Sequence, residues 1–100
     1  MSCPLNLADA VEADLIAAFK WYEHQFPGLG ESFLSQVEYT LSRIWQFPES
    51  YQVNFGDFHC APLRRFPYGV FYRARPHLIE VDAILDCRIL PRRIEPRLGY

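Results

Sequence analysis

The chain has 100 residues and a formal net charge of −2, with half of its residues hydrophobic and 16% aromatic. This length allows one domain with a single core, and this composition excludes intrinsic disorder. No apolar run approaches the roughly 20 residues that a membrane span requires, and no basic segment followed by an apolar stretch marks a signal peptide. We therefore expect a single domain over residues 1–100 that acts in the cytoplasm, away from membranes.

The first half of the chain predicts a short edge strand at Leu5 to Leu7 and then an amphipathic helix from Ala8. Apolar residues recur in this helix at spacings of three and four, namely Val11, Leu15, Ala18, Phe19 and Tyr22. The helix is expected to end before Pro27-Gly28, because the residue before a proline avoids the helical region and glycine accepts a left-handed conformation.

A second helix is predicted after Gly28-Leu29-Gly30 and is expected to stop at Phe47-Pro48. Its apolar residues at helical spacing are Phe33, Leu34, Val37, Leu41, Ile44 and Trp45. The short Pro-Gly-Leu-Gly connector forces the two helices into an antiparallel hairpin, one face of which must cover a sheet. Residues Glu49 to Asp57 show no clear period and predict a loop of about ten residues.

The second half predicts three strands in an antiparallel meander. The first runs from Cys60 to Phe66, and the second is the aromatic run Tyr68 to Tyr72. The turn Arg75-Pro76-His77 leads into the third, in which Ile79, Val81, Ala83 and Leu85 are expected to share one face. Phe71 is expected to pack in the core, with Tyr68 and Tyr72 on the opposite face of the strand. The sequence does not decide which of these two faces looks toward the helices.

These elements predict an α+β fold of order β-α-α-β-β-β, in which an antiparallel helical hairpin packs on an antiparallel β-sheet. An irregular basic tail is expected from Cys87 to Tyr100. The cysteines and histidines are widely spaced, as Cys3, Cys60, Cys87, His24, His59 and His77. Because this spacing contains no metal-ligand or disulfide framework, we expect buried free thiols, no metal site and no cofactor.

The charge is distributed unevenly along the chain. Residues 1–57 contain eight acidic and two basic residues, whereas residues 58–100 contain eight arginines and four acidic residues. Arginine favours bidentate contact with carboxylate or phosphate, which predicts a partner that carries such groups. The alternative interpretation is that these arginines solvate the surface of the sheet and pair with the acidic helices of the same chain.

Several short motifs, in this order, resemble the RelE/ParE toxin superfamily. They are Ala13 to Leu15, Trp21 to Glu23, Pro27 to Gly30, Phe33, Arg65 to Tyr68 and Val70 to Tyr72. Members of this superfamily are the toxins of type II toxin–antitoxin pairs, often called plasmid stabilisation proteins. The usual motif at the end of the last strand is matched by Ala83, Pro91 and Arg97, but its histidine is Asp86 here and its arginine is Ile89.

The resemblance implies a cognate antitoxin as partner and one of two activities. ParE-like members bind and poison DNA gyrase, and the Phe-Pro-Tyr, Phe-Tyr and Pro-Gly-Leu-Gly motifs look more like this group. The target-binding residues would then be Arg88, Arg92, Arg93 and Arg97. An inactive member that only binds its antitoxin is a further alternative.

RelE-like members instead cleave messenger RNA on the ribosome without a metal. The catalytic residues would then include Arg65 and Arg88, which would hold the phosphate. The base would be Asp86 or, alternatively, Glu80. Tyr100 is a candidate acid for the leaving oxygen. A carboxylate with an ordinary pKa near 3.9 is a poor base at neutral pH, and an acidic protein is poorly suited to the phosphate-rich decoding centre.

Overall fold

A computed structural model describes residues 4–88 and 94–99 of the chain. Its elements in chain order are β1 (Leu5–Leu7), α1 (Asp9–Gln25), α2 (Leu29–Gln46), β2 (Val53–Phe55), β3 (Phe58–Pro62), β4 (Tyr68–Arg75), β5 (Leu78–Asp86) and a 3-10 helix (Glu95–Leu98). The strands form one sheet in the order β1-β5-β4-β3-β2. Because β1 pairs parallel with β5 and every other pair is antiparallel, the sheet is mixed.

The predicted helical hairpin is confirmed, and one side chain of α1 holds its tip together. The Glu23 carboxylate accepts hydrogen bonds from the backbone N–H groups of Gly28 at 2.9 Å and of Gly30 at 3.0 Å. These amides lie at the start of α2, where backbone donors lack helical partners and favour a negative charge. A Cβ at Gly30 would lie 2.8 Å from the Phe19 ring, so the close approach of the helices requires glycine there.

The segment Glu49 to Asp57, predicted as a loop, contains the short strand β2. This strand pairs with β3 across a tight turn in which Gly56 has a φ of 53°. Three residues are too few to show an alternating pattern, so the sequence did not indicate the strand. β3 also begins earlier and ends earlier than the predicted Cys60 to Phe66.

The helices cover the face of the sheet that carries Tyr68, Val70 and Tyr72, which settles the orientation of β4. Tyr72 is fully buried, and its hydroxyl donates a hydrogen bond to the Pro48 carbonyl at 2.6 Å. Phe71 is also buried, as expected, but on the opposite face.

The prediction that Ile79, Val81, Ala83 and Leu85 share one face is wrong, because a β-bulge interrupts the alternation. Tyr72 is opposite Val81 and Phe71 is opposite Ala83, so Asp82 has no opposite residue. At this bulge, two residues of β5 lie opposite one residue interval of β4. Beyond the bulge, the side chains of β5 therefore point to the opposite faces of the sheet from those that a regular alternation would give. Ile79 and Val81 therefore pack toward the helices, while Ala83 packs on the other face.

The described part of the C-terminal segment is not irregular. Ile94 and Leu98, at the 3-10 helix, are buried against Phe71 and Ala83 and cover the sheet face that the helices leave open. No helix in residues 4–88 and 94–99 is long and apolar enough to cross a membrane.

Candidate binding groove

A groove lies where the helical hairpin meets the end of the sheet, next to the β3–β4 connection. Its volume is about 560 Å³, and its lining residues are Trp21, Tyr22, Leu29, Ser32, Ser35, Gln36, Arg65, Phe66, Pro67 and Arg88. A neighbouring depression of about 420 Å³ shares Trp21, Tyr22 and Arg88 with it and adds Ala17, Tyr68 and Asp86. We call the first of these depressions the groove.

Packed aromatic rings support the groove from below. The ring of Tyr22 lies 5.3 Å from that of Phe33 and 4.9 Å from that of Phe66. Tyr68 packs edge-on against Phe33 at 5.1 Å. Contacts of this kind fix ring orientations in a core, so the groove is built on a rigid base.

Trp21 stands at the wall of the groove and exposes 57% of its surface. Its ring meets Tyr22 edge-on at a centroid distance of 5.0 Å. A tryptophan that is anchored on one side and exposed on the other suits recognition of a partner, because it offers a large contact area at little cost in entropy.

Arg65 lies in the β3–β4 connection with a left-handed φ of 69°, the only positive φ among the described residues other than glycine. The hydrogen bond from Leu63 N–H to the Tyr68 carbonyl at 2.9 Å closes this connection. A left-handed conformation costs an arginine about 1–2 kcal/mol, and such strain is concentrated at functional sites. Arg65 is exposed, and no described carboxylate pairs with it.

Arg88 and Asp86 form a local pair at the end of β5. Arg88 Nη2 lies 2.7 Å from Asp86 Oδ2, and Arg88 Nε lies 3.0 Å from Asp86 Oδ1. The Arg88 backbone N–H also donates to Asp86 at 2.8 Å. The side-chain hydrogen bonds from Arg88 hold the pKa of Asp86 below its ordinary value, although partial burial opposes them. Asp86 is therefore a poor acceptor of a proton at neutral pH.

The phenols of the site are also unsuited to proton abstraction. Burial, together with the neighbouring Tyr68 and Asp86 charges, raises the pKa of Tyr22. Burial likewise raises the pKa of Tyr68. No histidine is among the described residues that line the two depressions. The arrangement offers cationic and aromatic contacts to a partner, but no poised base.

The structure thus brings Arg65, Asp86 and Arg88 to one place and Glu80 to another. Glu80 lies six residues from Asp86 along β5, roughly 20 Å away at the rise of a strand. Its carboxylate is hydrogen-bonded to Arg75, which lowers its pKa.

Of the remaining predicted residues, Arg97 is a partly buried anchor, and the others lie at positions that the structure does not describe. Arg97 donates to Asp14 of α1 through Nη1 at 2.7 Å and Nη2 at 2.9 Å, and Asp14 also accepts from the Ile84 backbone N–H at 3.1 Å. Arg97 therefore fastens the 3-10 helix to α1. The predicted contacts at Arg92 and Arg93 and the candidate acid Tyr100 lie outside the described residues.

Sequence reasoning did not nominate Trp21 as a site residue, although a signal was present. Trp21 comes one position before Tyr22, outside the predicted apolar stripe of α1, and lies on the solvent side of the helix. A single exposed aromatic residue is common on protein surfaces, so this signal gains meaning only from the position of Trp21 at the wall of the groove. Among the described residues, no group of three or more potential ligands is placed to hold a metal ion.

The fold is similar to that of a chain from the chromosomal ParDE TA system from P. aeruginosa. The TM-score is 0.73, and the match covers 82% of this chain and 92% of that chain at 16% sequence identity. No protein-family model matches this chain, and no curated protein matches it in sequence. The likeness confirms the predicted RelE/ParE-like α+β fold.

Proposed function

We propose that this chain is the toxin of a type II toxin–antitoxin pair and that it acts by binding a protein target, such as DNA gyrase, in the cytoplasm. The observation that carries the proposal is the groove, in which exposed Trp21 and Arg65 stand on a rigid aromatic base. The similarity in fold to a chain of a ParDE toxin–antitoxin system supports the same conclusion. A role in plasmid stabilisation would follow from such a pair.

The chemistry of the groove favours binding over RNA cleavage. Cleavage without a metal needs a base for the 2′-hydroxyl and cations for the phosphorane charge. Arg65 and Arg88 supply cations, and their convergence with Asp86 is the observation that favours the ribonuclease alternative. Asp86, however, is held ionised by Arg88, and its lowered pKa makes it a weak base.

An antitoxin would neutralise the protein by covering its exposed contact surfaces. A third depression lies on the outer side of the helical hairpin, and apolar side chains make up most of its lining, with Leu15, Ile16, Phe19 and Leu34 beside Glu12 and Lys20. Ile16 exposes 46% of its surface. An amphipathic segment would bury these side chains, and an acidic segment would pair with Arg65 at the groove, next to Arg88, which is already paired with Asp86.

Inducible expression in a bacterial host tests the proposal. The readouts are viability, the SOS response to DNA damage and primer-extension mapping of transcripts. Growth arrest with SOS induction and intact transcripts is the expected result, because a poisoned gyrase leaves broken DNA. Growth arrest with codon-phased cuts and no SOS response would establish the ribonuclease instead.

A Trp21→Ala variant and a matched Trp45→Ala variant make this experiment specific to the groove. Trp45 exposes 45% of its surface at the far end of α2 and does not line the groove. Arrest should persist in Trp45→Ala and be lost in Trp21→Ala. A folded wild-type protein that causes no arrest would overturn the toxin proposal and leave an inactive, antitoxin-binding protein.

A further inference from the structure

Two thiols meet on the sheet face that looks away from the helices. Cys60 lies in β3 and Cys87 directly follows β5, and their sulfur atoms are 3.9 Å apart. Cys60 is buried, whereas Cys87 is exposed. An exposed thiol beside a second thiol is the arrangement in which an oxidised cysteine is trapped as a disulfide.

Gly69 of β4 provides the space in which the two sulfurs meet. β4 lies between β3 and β5, and a Cβ at Gly69 would stand 2.7 Å from the sulfur of each cysteine. Any side chain at this position would therefore push the thiols away. Glycine inside a strand often marks such a close approach, and here what approaches is the thiol pair.

The two thiols differ in acidity, which assigns them different roles. The hydrogen bond between them lowers the pKa of Cys87, while partial burial and Asp86 oppose the change. The same hydrogen bond, together with burial, raises the pKa of Cys60 well above its ordinary value. Either sulfur can donate in the hydrogen bond between them, but only Cys87 is exposed to a reagent in solution. Because the thiolate is the nucleophile, Cys87 is the more reactive of the two.

We propose that Cys60 and Cys87 are a hydroperoxide-responsive pair that closes to an intramolecular disulfide. The Cys87 thiolate attacks one oxygen of the hydroperoxide, the O–O bond breaks, and the departing oxygen takes up a proton. The resulting Cys87 sulfenic acid is attacked by the Cys60 sulfur. An S–S bond forms, the S–O bond breaks, and the hydroxide leaves as water with the Cys60 proton. Two thiols lose two electrons, and the hydroperoxide gains them.

Closure requires a movement of the turn after β5. The sulfur atoms must come from 3.9 Å to about 2.05 Å, the length of a disulfide bond. Strands on either side of a third are about 9–10 Å apart, more than the usual Cα separation across a disulfide. Cys60 is paired with Phe71 in the β3–β4 ladder, whereas Cys87 lies beyond the last ladder residue. Cys87 is therefore the residue that moves.

This movement would reach the groove through the neighbours of Cys87. Its backbone N–H donates to the Pro67 carbonyl at 2.7 Å, and Pro67 and Arg88 both line the groove. Oxidation would therefore shift Arg88 and Asp86 at the groove edge. The proposal needs only the purified protein and holds whether or not the chain is a toxin.

Mass spectrometry of the purified chain treated with hydrogen peroxide tests this directly. A Cys3→Ser background leaves two cysteines, Cys60 and Cys87. The expected product is a monomer that has lost two hydrogen atoms and both alkylatable thiols, and dithiothreitol should restore them. In the matched Cys60→Ser variant, Cys87 has no partner and should gain oxygen atoms instead. Oxygen gain without hydrogen loss in the Cys3→Ser protein, or disulfide-linked dimers alone, would overturn the proposal.

The movement has its own readout in tryptophan fluorescence. A Trp45→Phe change leaves Trp21, at the groove wall, as the single tryptophan. Peroxide should shift its emission reversibly in the protein that retains both cysteines, and not in the Cys60→Ser variant. A disulfide that forms without any change in Trp21 emission would contradict the coupling between the thiol pair and the groove.

Discussion

The two ends of the β4–β5 hairpin carry arginines in opposite circumstances. Near the turn, Arg73 pairs with Asp82 at 3.2 Å and Arg75 pairs with Glu80, so each guanidinium has a carboxylate on the neighbouring strand. At the groove, Arg65 has no carboxylate partner within the described residues. We call the first region the turn end and the second the groove end. Arg88, which also lines the groove, pairs with the neighbouring Asp86. Arg65 is therefore the arginine that sets the groove end apart from the turn end.

This difference explains why charge alone did not locate the site. The sequence shows eight arginines after residue 57 but does not show which of them are matched. Cross-strand pairs at the turn end contribute modestly to stability and hold their side chains in place. At the groove end, the left-handed backbone of Arg65 is unfavourable, and the Trp21 ring, although it packs edge-on against Tyr22, leaves more than half of its surface exposed. These two features support the proposal that the groove end binds a partner.

The largest expected effect is on target binding by the Trp21→Ala variant. Loss of an anchored aromatic contact at the centre of an interface costs about 2–4 kcal/mol, which is about 30-fold to 1,000-fold in affinity. Trp45→Ala should leave affinity within about twofold of wild type, the ordinary effect of a surface position away from an interface. Equal losses in both variants would show that the groove end is not the binding surface.

A smaller effect is expected when Arg65 is compared with Arg75 of the turn end. Arg65→Ala should weaken target binding by about tenfold, as expected for an exposed interface arginine. Arg75→Ala removes a similar charge but should not change binding, since Arg75 is occupied by Glu80 away from the groove. Titration of each purified variant against the target gives the measurement. If the two variants lose affinity equally, the effect belongs to net charge and not to the groove.

Stability should respond more at Arg73 of the turn end than at Arg65. Arg73 pairs with Asp82 and also lies over the Phe58 ring at 4.8 Å. Removing a partly exposed ion pair and a cation–π contact should lower the free energy of unfolding by about 0.5–1.5 kcal/mol. Urea denaturation of Arg73→Ala measures this loss. Arg65→Ala should unfold at about the same urea concentration as wild type, because the change removes no ion pair and alanine keeps the Cβ that makes the left-handed backbone unfavourable.

The smallest effect concerns the pH dependence of the Asp86–Arg88 pair. The pKa of Asp86 is below its ordinary value of 3.8 in the folded protein, because Arg88 donates hydrogen bonds to its charged form. The pair therefore stabilises the fold fully above that value, and the stabilisation is lost as the pH falls through the lower folded pKa. Melting temperatures of wild type and Asp86→Asn should differ by a constant amount above about pH 5 and converge at lower pH. A difference that disappears near pH 7 would show that the Asp86 pKa is raised, as a general base requires.

Much of the fold could be predicted because helical periods and turn residues are local signals. The helical hairpin follows from the apolar spacing before and after Pro27, and β4 and β5 follow from aromatic and alternating residues. The bulge at Asp82 could not be seen, since the sequence continues to alternate through it. The ion pair between Asp14 and Arg97 joins residues that are 83 positions apart, and no local sequence pattern indicates such a pair.

The site was predictable only in part and for a different reason. Arg65, Asp86 and Arg88 were nominated through the resemblance to RelE/ParE toxins, and the structure brings these three together. Spacing along the chain did not predict their meeting, which depends on the β3–β4 connection and the end of β5 reaching one place. The register of the three strands β3, β4 and β5 also determines two other features. One is the pairing with Arg88 that makes Asp86 a weak base, and the other is the approach of Cys60 to Cys87 over Gly69.

The central claim is that the groove end binds a protein target, and inhibition of purified DNA gyrase tests it most directly. The purified chain is added to gyrase and relaxed plasmid, and the concentration that halves supercoiling is measured for wild type, Trp21→Ala and Trp45→Ala. Our account predicts inhibition by wild type and Trp45→Ala at similar concentrations, and by Trp21→Ala only at far higher ones. Full supercoiling in the presence of an excess of folded wild-type protein would contradict it.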